Sequence, residues 1–69
     1  MQLTPVSSSN IDAVGYREDD RTLHVRFASG STYSYRDVDP EEHQALIEAQ
    51  SIGSHFANHI RPHYKGEKQ

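Results

Sequence analysis

The sequence predicts a small α+β domain, a three-stranded antiparallel meander followed by two helices packed on one face, in the order β-β-β-α-α. Three observations predict it. Thr22–Phe27 alternates strictly, with Leu23, Val25 and Phe27 on one side and Thr22, His24 and Arg26 on the other, the period of a half-buried strand. Asp39-Pro40-Glu41-Glu42 reads as a helix start: an N-cap, a first-turn proline and acids that complement the helix dipole. Ile52, Phe56 and Ile60 recur every four residues and form one helical stripe. Both helices follow the strands without a crossover, so they share one face and leave the other open.

The first strand is expected from about Asn10 to Arg17, after the polar lead Ser7-Ser8-Ser9. A four-residue turn, Glu18–Arg21, sets Arg17 opposite Thr22, Tyr16 opposite Leu23 and Val14 opposite Val25. The second strand is Thr22–Phe27 and the third Thr32–Val38. The hairpin between them has two options. A two-residue loop at Ser29-Gly30 would set Tyr33 opposite Arg26, on the polar side. A three-residue loop, Ala28-Ser29-Gly30, sets Tyr33 opposite Val25 and Tyr35 opposite Leu23. The second is chosen. It gathers the apolar groups on one side, and Gly30 supplies the left-handed residue such a loop needs. A one-residue slip would turn the whole set over.

The first helix is expected from Pro40 to about Gln50, with Glu42 bonding back to the cap and Leu46, Ala49 and, as a further candidate, Ile47 turned inward. Ser51 is a fresh N-cap, and the second helix runs from Ile52 to Ile60 or Arg61. Pro62 ends it, because proline has no N–H and its ring would strike the Asn58 carbonyl.

Composition narrows the function classes. A chain of 69 residues makes one domain, and such a domain buries only ~60% of its unfolded surface. Its core is expected over about 6–64, with 1–5 and 65–69 as flexible ends. With no cysteine there is neither a disulfide nor a thiolate metal site. No apolar run is long enough to cross a bilayer, and MQLTPVSSSN lacks the regions of a signal peptide, so no membrane association and a cytoplasmic location are expected. A net charge of −3 argues against unselective binding to nucleic acid or anionic lipid.

The pattern Leu23-x-Val25-x-Phe27-x-x-Gly30-x-x-Tyr33-x-Tyr35-x-x-Val38 resembles the centre of the KTSC domain. That domain is named for its place at the C-terminus of some lysyl-tRNA synthetases, and it also occurs as short stand-alone bacterial proteins. Ser8-x-x-Ile11 and Ala49-x-Ser51-x-Gly53-x-x-Phe56-x-x-x-Ile60 match as well, so the resemblance spans about Val6 to Tyr64. Tyr33 and Tyr35 correspond to the family's central Tyr-x-Tyr. The resemblance implies no established activity. It suggests RNA binding through the synthetase association alone.

The open face should carry Ala13, Gly15, Arg17, Thr22, His24, Arg26, Thr32, Ser34 and Arg36, with no acid at these positions. Guanidinium forks suit phosphate oxygens. Arg17, His24, Arg26 and Arg36, joined by Arg61 and Lys65 from the basic C-terminal stretch, are therefore the candidate nucleic-acid or partner-binding residues. Sheets of this kind also commonly keep one face wet for solubility alone. Tyr33 and Tyr35 point inward and are read as structural, which leaves the open face without stacking aromatics.

His55, His59 and His63 recur every four residues, a spacing that can hold zinc on one helix face. Pro62 ends the helix before His63, no acid completes the set, and no metal or other cofactor is expected. His43 is read as packing or solvent. With no nucleophile elbow and no phosphate-cradling glycine loop, an enzyme is not expected. Two functions remain: an RNA-binding module using the arginine face, and a protein-interaction module.

Overall fold

The computed structural model describes residues 3–69. Its strands form one antiparallel sheet in chain order: β1 (Thr4–Pro5), β2 (Ile11–Arg17), β3 (Thr22–Phe27), β4 (Thr32–Tyr35) and β5 (Gly66–Lys68). The helical elements lie between β4 and β5. The predicted meander is the centre of this sheet, and the expectation of three strands is corrected to five. Thr4 and Pro5 pair with Val14 and Ala13, while Gly66, Glu67 and Lys68 pair with Tyr35, Ser34 and Tyr33. The stretches 1–5 and 65–69, set outside the core in sequence, contribute these two added strands; Met1 and Gln2 lie outside the described residues.

Both central registers are as the alternation requires. Tyr16 faces Leu23 and Val14 faces Val25, while Tyr33 faces Val25 and Tyr35 faces Leu23. Gly30 takes φ +97° in the β3–β4 turn, and its N–H bonds the Phe27 carbonyl at 2.9 Å. β2 carries an irregularity between Ile11 and Ala13. Ile11 and Val14 are three residues apart, so strict alternation would put them on opposite faces. The extra residue, Asp12, brings both inward, where they are 1% and 2% exposed. β4 stops at Tyr35 rather than Val38. Asp37 turns left-handed at φ +59°, the Val38 N–H bonds the Arg21 carbonyl at 2.9 Å, and the Val38 side chain is fully buried.

Helix α1 spans Pro40–Glu48, ending before Gln50 because Ala49 is extended. The expected capping box does not form. Asp39 directs its carboxylate to Arg21 at 3.4 Å, and Glu42 Oε2 is buried without a hydrogen-bond partner. Ser51 does cap α2 (Ile52–His55), its Oγ accepting from the Ser54 N–H at 3.3 Å. The helix continues as a π-helical turn, Phe56–Ile60, in which the Arg61 N–H bonds the Phe56 carbonyl at 2.9 Å. Leu46, Ile52, Phe56 and Ile60 pack with Ile11, Val14, Leu23, Val25, Tyr35 and Val38 in one core. Ile47 does not join it: it is 40% exposed.

Candidate functional site

The two faces of the sheet differ in chemistry. Arg17, His24 and Arg26 are on the open face, as the register requires. Arg17 and Arg26 are exposed and His24 is half-buried. The central positions hold no acid, but β5 adds one to their face. Glu67 pairs with Ser34 and so shares its face, and its Oε1 lies 3.4 Å from Arg36 Nε. β5 also brings Gln69, whose Nε2 donates to Ser34 Oγ at 2.7 Å. Ala13, Thr22 and Ser34 are buried. What stays open is a shallow hollow of about 400 Å³ lined by Leu3, His24, Arg26, Thr32 and Gln69.

The six cationic or histidine candidates do not converge. Arg61 follows the π-turn and belongs to the helix side. Lys65 lies in the turn before β5, beside Arg36, Asp37, His63, Tyr64 and Glu67. His55 and His59 stack with ring centroids 4.5 Å apart. Among the described residues no group of three or more His, Cys, Asp or Glu is placed to hold a metal ion.

Tyr33 and Tyr35 both face the helices, but their surroundings differ. Tyr35 is 5% exposed, and burial pushes its phenol pKa up against the opposing influence of Arg61. Its ring lies over Gly66, where a Cβ would fall 2.6 Å from Tyr35 Cε2. Glycine is therefore required opposite this tyrosine. Tyr33 is only half-buried and stands at the rim of a cleft of about 490 Å³. Aromatic rings form a connected wall there: Phe27 meets Tyr33 edge-on at 5.5 Å, Phe56 meets Phe27 at 5.4 Å, and Tyr35 meets Phe56 at 5.4 Å. Arg61, Asn10, Ala28, Ser29 and Ser31 complete the lining. The sequence reading missed Phe27 and Phe56 as site residues. Their signals were the inward alternation that ends at Phe27 and the helical stripe through Phe56, and both were read as core.

A second cleft, about 700 Å³, lies between the β1–β2 edge and the helices. Tyr16 and His43 stack inside it, centroids 4.7 Å apart and nearly parallel. The Tyr16 hydroxyl donates to the Val38 carbonyl. Burial raises the Tyr16 pKa and lowers that of His43. Ile47 opens onto the same cleft.

The KTSC domain family matches residues 7–64, most of the chain. The chain belongs to the KTSC domain family. A crystal structure of a KTSC domain protein from Yersinia pestis superposes with a TM-score of 0.95 at 37% identity, covering 99% of this chain and 96% of that one. An uncharacterised protein of Stutzerimonas stutzeri is 41% identical over 66 residues, 94% of this chain and 93% of that protein. A lysine–tRNA ligase of Nostoc punctiforme is 37% identical over 60 residues, which are 87% of this KTSC chain and 11% of the ligase. The Tyr-x-Tyr of this KTSC domain thus divides its labour. Tyr35 seals the core, and Tyr33 edges a cleft.

Proposed function

We propose that this KTSC protein is a non-catalytic binding module for single-stranded nucleic acid, RNA in preference to DNA, which contacts the phosphate backbone on the open sheet face. The observation that carries the reading is Arg26. It is exposed, in no salt bridge among the described residues, and borders a hollow with His24, Thr32 and Gln69. A guanidinium beside hydrogen-bonding groups suits phosphate and sugar. Arg17 extends the strip along β2, and Arg36 joins it by exchanging Glu67 for phosphate. The likeness to a segment of a lysine–tRNA ligase supports RNA over DNA.

The test is a titration of RNA and DNA oligomers of about ten nucleotides at several salt concentrations. Three phosphate contacts on a single strand predict a log–log salt slope of about −2. Arg26→Glu should abolish binding. Wild-type protein that binds neither oligomer at low salt removes the reading.

A protein-interaction role is favoured by one separate observation, the exposed Ile47 at the mouth of the 700 Å³ cleft. It requires a partner that is lost with Ile47→Asp and kept with Arg26→Glu.

A further inference from the structure

We propose that the aromatic cleft at the β3–β4 turn is a nucleotide subsite, which takes one unstacked base against Tyr33 and Phe27 and its phosphate at Arg61. The proposal deepens the nucleic-acid reading and rests on it for the identity of the polymer, but the cleft is argued from its own residues. Its volume, about 490 Å³, is within the usual range for small-ligand sites. The edge-to-face packing of Phe27 with Tyr33 and Phe56 holds the rings at interplanar angles of 80° and 70°. A flat ligand therefore meets a wall that needs no ordering on binding.

The polar groups of the cleft select the ligand further. Arg61 lines it, and Lys68 stands directly across from Tyr33 in the β4–β5 ladder. No acid is in the lining. Ser29, Ser31 and Asn10 set donors and acceptors at the rim, suited to the edge of a base. A planar ring joined to a dianionic group answers all of these features together.

Position adds a link to the open face. Arg26 and Phe27 are adjacent in β3 and point to opposite sides of the sheet. One strand residue spans about 3.3 Å. A single strand that crosses the end of the sheet at the β3–β4 turn would touch both, laying phosphate at Arg26 and inserting a base beside Phe27.

The experiment titrates 5′-UMP and 5′-AMP into isotope-labelled protein and follows amide and ring resonances. Shifts should centre on Phe27, Ser31, Tyr33 and Arg61, with uridine and adenosine binding more weakly than their phosphates. Tyr33→Leu removes the stacking surface and should weaken binding about tenfold. Arg61→Gln removes a charge-assisted contact and should weaken it by about the same factor. Arg61 is exposed and in no salt bridge among the described residues, so this variant tests the cleft even if Tyr33→Leu loosens the fold.

Arg26→Glu should leave mononucleotide binding unchanged while it abolishes oligomer binding, which separates the two surfaces. Mononucleotide binding at the cleft without any oligomer binding supports the subsite and removes the sheet-face reading. Oligomer binding that ignores both Tyr33→Leu and Arg61→Gln overturns the subsite. So does 3-phenylpropionate, an aromatic carboxylate, binding the cleft more tightly than either nucleotide.

Discussion

The two ends of the sheet are built by different physics. At one end, the β2–β3 turn and the start of α1 gather Glu18, Asp19, Asp20, Asp37, Asp39, Glu41 and Glu42. Polar contacts dominate there: Arg21 to Asp39 at 3.4 Å, exposed on both sides, and the part-buried Thr22 N–H to Asp20 Oδ1 at 3.2 Å. Hydrogen bonding from the Thr22 side chain, more than from its N–H, draws the Asp20 carboxyl below its ordinary pKa. At the other end, Phe27, Tyr33, Tyr35 and Phe56 interlock around a cleft with Arg61 and no acid. A chain with net charge −3 thus keeps this cleft free of acids, with seven of its ten carboxylates gathered at the opposite pole. Overall charge is a poor guide to a local ligand when the charges segregate.

The contrast predicts unequal responses to substitution. Phe56→Ala should have the largest effect. It removes the ring that joins Phe27 to Tyr35 and should cost about 3–5 kcal/mol. A domain of this size has only about 3–10 kcal/mol in total. Urea unfolding at low and high salt should show the same loss, and a loss under about 1 kcal/mol would mean that the cleft wall is not structural.

The acid end should answer to pH instead. Burial holds the His43 pKa in the folded state below its ordinary value of 6.5. The unfolded chain therefore binds more protons between the two values, and stability rises with pH through that window. The contribution is complete above about pH 7 and is lost as pH falls through 6.5 toward the folded pKa. The melting temperature should fall between about pH 7.5 and pH 5.5. His43→Gln should flatten that slope while lowering stability at pH 7.5, because it loses the stack on Tyr16. An unchanged slope would assign the dependence to other groups.

The smallest effect belongs to Arg21→Gln. Its ion pair with Asp39 is exposed on both sides, and such pairs contribute about 0.2–1 kcal/mol at low salt. Half-molar salt should erase most of the difference. A loss that persists in salt would show instead that the side chain packs.

How far the sequence was legible follows the range of the forces. The β2–β3 and β3–β4 registers were readable because alternation and Gly30 are local signals. The Ile52, Phe56 and Ile60 stripe and the Ser51 cap were readable for the same reason. β5 was not. Gly66-Glu67-Lys68 has no apolar alternation, and its place is set by Tyr35, a long-range partner that only glycine can admit. The failed capping box had a nonlocal cause too, since Arg21 drew Asp39 away. The cleft was the least legible part. Phe27 and Tyr33 meet Phe56 and Arg61 from distant stretches of chain, and the π-turn that sets Arg61 has no compositional mark.

The outermost strands, two and three residues long, have a bearing on how these molecules meet one another. Pro5 in β1 has no N–H to offer, and β5 ends on a lysine. Such margins present few main-chain groups to a neighbouring sheet. Copies of the domain are thereby discouraged from zipping together into continuous ribbons, and association is left to side chains, where specificity can be tuned one residue at a time.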